Sequence, residues 1–155
     1  LTKILTAIPV IRKYQRFGNN PIQFYSTKLT RSARQPIFGL EMYKLLANSK
    51  ICFNIHGEIA MKCAGNLRLF EATGAGTCLI TDWKENLSSL FELEREIVTY
   101  KSVEECIDKI KWLQKNPEIR DNIAKAGQRR TLSEHTIEHR VTLLDQIIKK
   151  ELKIN

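Results

Sequence analysis

The sequence predicts an α/β fold, with a Rossmann-like parallel sheet and helices on both faces, and three observations carry that expectation. Short apolar runs rich in β-branched residues alternate with segments of helical periodicity from Gly39 onward. Helix-start signals stand where the periodicity changes, at Ser102-x-x-Glu105 and at Asn116-Pro117. The composition, 43% hydrophobic and 27% charged over 155 residues, suits one domain with a real core and argues against wholesale disorder.

Each element follows from local pattern. Leu40, Tyr43, Leu46 and Ala47 recur at helical spacing, so 39–48 reads as a short helix. Ile51-Cys52-Phe53-Asn54-Ile55 reads as a buried strand that ends in a loop at His56-Gly57. Asn66 to Thr73 reads as a helix capped by Asn66 and closed by Gly74 and Gly76. Thr77 to Thr81 and Glu96 to Tyr100 are two further strands, with a short helix over 84–92 between them. Ser102 opens a helix with Val103, Cys106, Ile107, Ile110 and Leu113 on one face. Asn116-Pro117 opens another, expected to stop near Gly127, and Ser133 is read as the cap of the last. Upstream, Pro21 to Ser26 reads as a strand after a turn at Gly18–Asn20.

In open parallel sheets ligands bind beyond the carboxyl ends of the strands. That directs attention to the loops His56–Gly65, Thr81–Lys84 and Tyr100–Ser102.

Net charge is +8, and its distribution is uneven. Residues 1–50 carry nine basic side chains and one acid, Glu41; residues 51–155 carry 16 of each. The excess marks residues 1–38 as a basic N-terminal segment of the same α/β domain, ahead of a neutral body over 39–155. An anionic partner is implied, either a phosphorylated ligand or a second domain, with nucleic acid behind them. No apolar run approaches the roughly 20 residues of a membrane span. Cysteines at 52, 63, 78 and 106 match no zinc or redox spacing, which fits a reducing, cytoplasmic setting. The chain begins with Leu1 and not Met, giving the expectation of a piece of something longer.

The most informative stretch is Gly65-Asn66-Leu67-Arg68-Leu69-Phe70-Glu71-Ala72, followed by Gly76 to Asp82. Gly65 allows close backbone approach, and amides at a helix start favour an anion. Arg68 in the first turn opposes the helix dipole, which a bidentate contact with an anion would explain. Glu71, three residues on, shares its face and can accept hydrogen bonds from paired hydroxyls. An exposed Arg–Glu pair with no ligand remains the competing reading.

These residues, with Lys50-Ile51-Cys52-Phe53-Asn54-Ile55-His56-Gly57 and Glu134-His135-Thr136, resemble the donor-binding half of GT-B glycosyltransferases. The match is closest to the glycosyltransferase-like family related to spore-coat maturation proteins, and it runs from about Gly39 to Arg140. The resemblance implies half of a GT-B architecture that binds a nucleotide-diphosphate sugar, with the acceptor held by an N-terminal domain outside this chain. It implies Gly57, Gly65, Asn66, Arg68 and Glu71 as donor-binding residues, with Glu71 on the ribose. Arg68, on the diphosphate, and His56 are the implied catalytic residues. It implies no metal and no cofactor beyond the substrate itself. It also leaves open a peripheral contact with the inner membrane face, for which Lys149, Lys150 and Lys153 are available. One departure stands out: where many retaining relatives have the first glutamate of an E-x7-E pair, this chain has Cys63.

Other readings compete. His56 can contact donor phosphates or sugar, or be an ordinary loop histidine; Asp82 can bind a sugar hydroxyl, though a helix cap is favoured. Trp83 and Trp112 are assigned to packing, and the cysteines other than Cys63 to the core. His135-Thr136-Ile137-Glu138-His139 spells H-x-x-E-H, but no third ligand follows and it is read as a chance match. The alternative function is a polyanion- or nucleic-acid-binding module that uses the basic segment, and a transferase fold kept only as a scaffold is a third.

Overall fold

The structure, a computed structural model, describes residues 34–153, of which 37–153 belong to the compact unit Ile37–Asn155. The strand expected at 21–26 and most of the basic segment lie outside the described residues. The elements run α1 (Gly39–Ala47), β1 (Ile51–Asn54), a 3-10 turn (Glu58–Ala60), α2 (Arg68–Gly74), β2 (Cys78–Asp82), α3 (Leu87–Leu90), β3 (Val98–Tyr100), α4 (Val103–Lys115), α5 (Pro117–Glu134) and α6 (Ile137–Leu152).

The three described strands form one parallel sheet in the order β1-β2-β3. Ile51 pairs with Cys78 and Asn54 with Thr81; Ile80 pairs with Val98 and Asp82 with Tyr100. Side chains alternate along β2, so it feeds two cores. Leu79 joins Leu46, Leu69, Ala72, Leu87, Phe91 and Ile97 on one face. Cys78 and Ile80 join Val98, Cys106, Leu113, Ile123 and Ala124 on the other. α1, α2 and α3 therefore cover one face and α4 and α5 the other, the Rossmann-like α/β arrangement expected. Burial pushes the Cys78 thiol up to about 12, an inert core residue.

β1 differs from the fully buried strand expected: only Asn54 is buried, while Phe53 is exposed and stacks on Tyr100 at 5.8 Å. The cause is its place at the edge of the described sheet. The Ser102 cap forms as read, with Oγ accepting from the Glu105 amide at 3.1 Å. The Glu105 carboxylate reaches back to the Lys101 amide at 2.8 Å, one residue beyond the usual capping-box partner.

α5 does not stop near Gly127. It continues to Glu134, because Gly127 is an approach point and not a cap: it is buried against the carbonyl of Glu96 and the methyl of Thr73. α5 thus passes beneath the amino ends of β2 and β3, where Thr131 and Thr73 share a buried hydroxyl contact at 2.6 Å. Ser133 is accordingly inside α5, and its hydroxyl bonds back to Arg130 O. Thr136 is the residue that caps α6, accepting from the His139 amide at 3.5 Å. No helix among the described residues is long and apolar enough to cross a membrane.

Candidate donor site at the carboxyl edge

The carboxyl ends of β1, β2 and β3 carry Asn54, Asp82 and Tyr100, and a hydrogen-bonded chain joins them. Asn54 Nδ2 donates to Thr81 Oγ1 at 2.9 Å, and Asn66 Nδ2 donates to Asn54 Oδ1 at 2.9 Å. Thr81 Oγ1 lies 3.3 Å from Asp82 Oδ1. The Tyr100 hydroxyl crosses to the Asn54 carbonyl at 3.1 Å. Burial, with the Asp82 charge nearby, pushes the Tyr100 phenol up to about 12, so it stays protonated and donating.

Asp82 is not a helix cap. Its Oδ1 accepts from the His56 amide at 2.9 Å and faces His56 Nδ1 at 2.7 Å. Its Oδ2 is 3.2 Å from Lys84 Nζ, which also donates to the Met61 carbonyl at 2.9 Å. Burial alone would raise the Asp82 carboxyl; hydrogen bonds from the His56 ring, the His56 amide and Lys84 outweigh it and hold the group below its ordinary value. The cap fails because β2 runs on to Asp82 and α3 does not start until Leu87.

His56 is the second residue beyond β1 and its side chain is 1% exposed. Nε2 is buried and has no hydrogen-bond partner among the described residues. Among the described residues the ring is therefore partnered on its Nδ1 side alone.

Asn66 does not cap α2. The helix starts at Arg68 with Leu67 at the cap position, and the Asn66 side chain is turned to Asn54. The backbone N–H groups of Gly65, Asn66, Leu67 and Arg68 donate no hydrogen bond to the described residues. Gly65 and Gly57 both have open space where a Cβ would stand, and neither has a left-handed φ. The fold therefore does not itself require glycine at either position. Arg68 Nη1 and Glu71 Oε2 pair at 3.3 Å with side chains 35% and 20% exposed. Both charges act on the partly buried Cys52 thiol, which burial pushes up, so the pair lies along β1.

The sequence places Lys84 and Tyr100 only at the ends of candidate loops and Asn54 only within the matching strand, and assigns none of the three a role. Cys63 is exposed. Trp83 and Trp112 are not packing residues in full, at 40% and 46% exposed, and Lys101 Nζ sits 4.8 Å over the Trp83 ring. His135 and His139 do not converge: the first ends α5 and meets Leu90 O, while the second bonds Thr136 within the cap of α6.

Fold and site together define a Rossmann-like α/β domain with its polar side chains gathered beyond the carboxyl ends of parallel strands. Residues 5–146 match the family model described as glycosyl transferase-like, and the chain belongs to that family. Its general role is therefore glycosyl transfer. No curated protein matches the chain.

Proposed function

We propose that the chain is the donor-binding domain of a GT-B glycosyltransferase, taking a nucleotide-diphosphate sugar at the carboxyl edge of β1 and β2. The observation that carries this reading is Arg68 paired with Glu71 at the start of α2, beside amides unengaged among the described residues and two glycines with open space over them. The guanidinium and the amides of Gly65 to Arg68 meet the diphosphate. α2 has only seven residues, so its dipole is short and Arg68 is the principal cation. Charge grows on the diphosphate as it leaves, and a fixed cation there lowers the barrier. Glu71 accepts hydrogen bonds from the ribose hydroxyls, and His56 faces the remainder of the donor. The acceptor belongs to a second, N-terminal domain of the GT-B pair, and no metal is called for. Family membership supports transfer, whereas a polyanion-binding module has only the charge of the first residues behind it.

Isothermal titration of the chain with UDP-glucose, GDP-mannose and ADP-glucose tests the reading. Binding of one of them, with the matching nucleoside binding more weakly, is the expected result. A folded sample that binds none of a broad panel would sink it.

A further inference from the structure

We propose that Asp82 is a positioning residue that holds His56 as its Nδ1–H tautomer, so that Nε2 accepts a hydrogen bond from a hydroxyl of the transferred sugar. The inference rests on the donor-binding reading and narrows it, because it separates the sugar from the phosphates as the partner of His56.

The argument starts from the acceptor side. An ionised carboxylate has no proton to give, so the 2.7 Å contact between Asp82 Oδ1 and His56 Nδ1 requires the proton on Nδ1. The same oxygen takes the His56 amide at 2.9 Å, which fixes backbone and ring together. Lys84 faces the other oxygen at 3.2 Å and keeps that carboxylate charged. With Nδ1 protonated, Nε2 is a bare lone pair in the neutral ring or an N–H in the imidazolium. Nε2 is buried without a partner among the described residues, and an unpartnered charged donor is the costlier of the two. The neutral ring with Nε2 as acceptor follows.

That assignment selects the ligand group. Diphosphate oxygens are acceptors and meet a lone pair with repulsion, whereas a sugar hydroxyl donates to it. Arg68 and the amides of α2 remain for the phosphates. Because Nε2 is covered, engagement includes a local shift that uncovers it. Gly57, next in the chain, has open space beside it for the incoming group.

The full chain, labelled with nitrogen-15, answers the question by long-range proton–nitrogen spectra of its three histidines, assigned with His135→Gln and His139→Gln. The expected His56 pattern at neutral pH is a protonated Nδ1, with its proton far downfield and slow to exchange, and an unprotonated Nε2. Asp82→Ala should turn this into a mixture of tautomers in a chain that still gives a folded spectrum. If Asp82→Ala does not fold, the downfield Nδ1 proton of the unsubstituted chain decides, and its absence overturns the proposal. A protonated Nε2 in the unsubstituted chain overturns it, as does an unchanged tautomer in folded Asp82→Ala. UDP-glucose, GDP-mannose or ADP-glucose, whichever binds, should shift Nε2 by more than the matching nucleoside diphosphate does. Equal shifts, or proton uptake on binding, make phosphate the partner and overturn the hydroxyl contact. If none of the three binds by titration, the donor reading and the hydroxyl contact fall together, and the tautomer alone decides the role of Asp82.

Discussion

Nδ1 of His56 and Oδ1 of Asp82 stand 2.7 Å apart, joining the first residues beyond β1 to the last residue of β2. The contact sets a pH dependence whose sign is fixed. The Asp82 carboxyl is held below its ordinary value by the bonds it accepts, against the opposing effect of burial. A depressed folded-state value stabilises the fold above the unfolded-state value, about 4 for an aspartate, and that contribution is lost as pH falls through the folded value. Urea midpoints between neutral pH and pH 3 should therefore fall more steeply for the unsubstituted chain than for Asp82→Asn, which cannot titrate there. Parallel curves would show that the contact contributes no linkage.

Gly127→Ala makes a second test, and here two effects oppose. Alanine in a helix interior gains about 1 kcal/mol over glycine. The added methyl at Gly127, however, would be driven into the carbonyl oxygen of Glu96, which is backbone and cannot swing aside. Overpacking of this kind costs about 1–3 kcal/mol. The expected net effect is a loss of stability in chemical denaturation, together with a weakened contact between α5 and the start of β3. A gain would mean that the two elements are not held at this distance.

That glycine also explains where sequence reading stopped short. β2, the sheet class and the Ser102 cap were legible because apolar runs and hydroxyl caps act locally. Gly127 could equally end a helix or admit a neighbour, and only the Glu96 carbonyl decides between them. Ser133 and Thr136 are two hydroxyl residues three apart, and either can cap a helix. Within the site, Arg68 and Glu71 were visible as an i,i+3 pair on one helix. The His56–Asp82 contact was not, since its partners are 26 positions apart and meet only through the parallel register of β1 and β2. Asn66 was misread for the same reason: its side chain finds Asn54, twelve residues away, in place of its own helix.

Arg68→Ala and Gly65→Ala separate ligand binding from folding. The Arg68–Glu71 pair is partly exposed and spans one helical turn, so its loss should change stability by no more than about 0.5 kcal/mol. Gly65→Ala meets open space and should be equally mild. Both should weaken binding of a nucleoside diphosphate, Arg68→Ala by roughly tenfold or more as a charge-assisted contact is lost. Binding of the bare nucleoside should be unchanged in both. Equal losses for nucleoside and diphosphate in titration calorimetry would remove Arg68 from the phosphates.

The last helix hangs on few contacts, and Arg140 is the one to remove. No residue of α6 is buried. Arg140 donates to His135 Nδ1 at 2.9 Å and lies 5.3 Å over the Phe70 ring, while His135 donates through Nε2 to the Leu90 carbonyl at 2.8 Å. His135 also rests against Phe70 and Phe91, at 5.1 and 5.3 Å between ring centres. The chain Arg140–His135–Leu90 thus ties the first turn of α6 to the last residue of α3. Arg140→Met keeps the length of the side chain and its helix propensity but gives up the donor and the cation over the ring, at a cost of about 1 kcal/mol. Because that cost falls on a peripheral element, it should appear as local opening: α6 amides exchanging roughly fivefold faster, with β2 amides unchanged. Uniform acceleration across β2 and α6 would instead mean that α6 opens only with the whole domain.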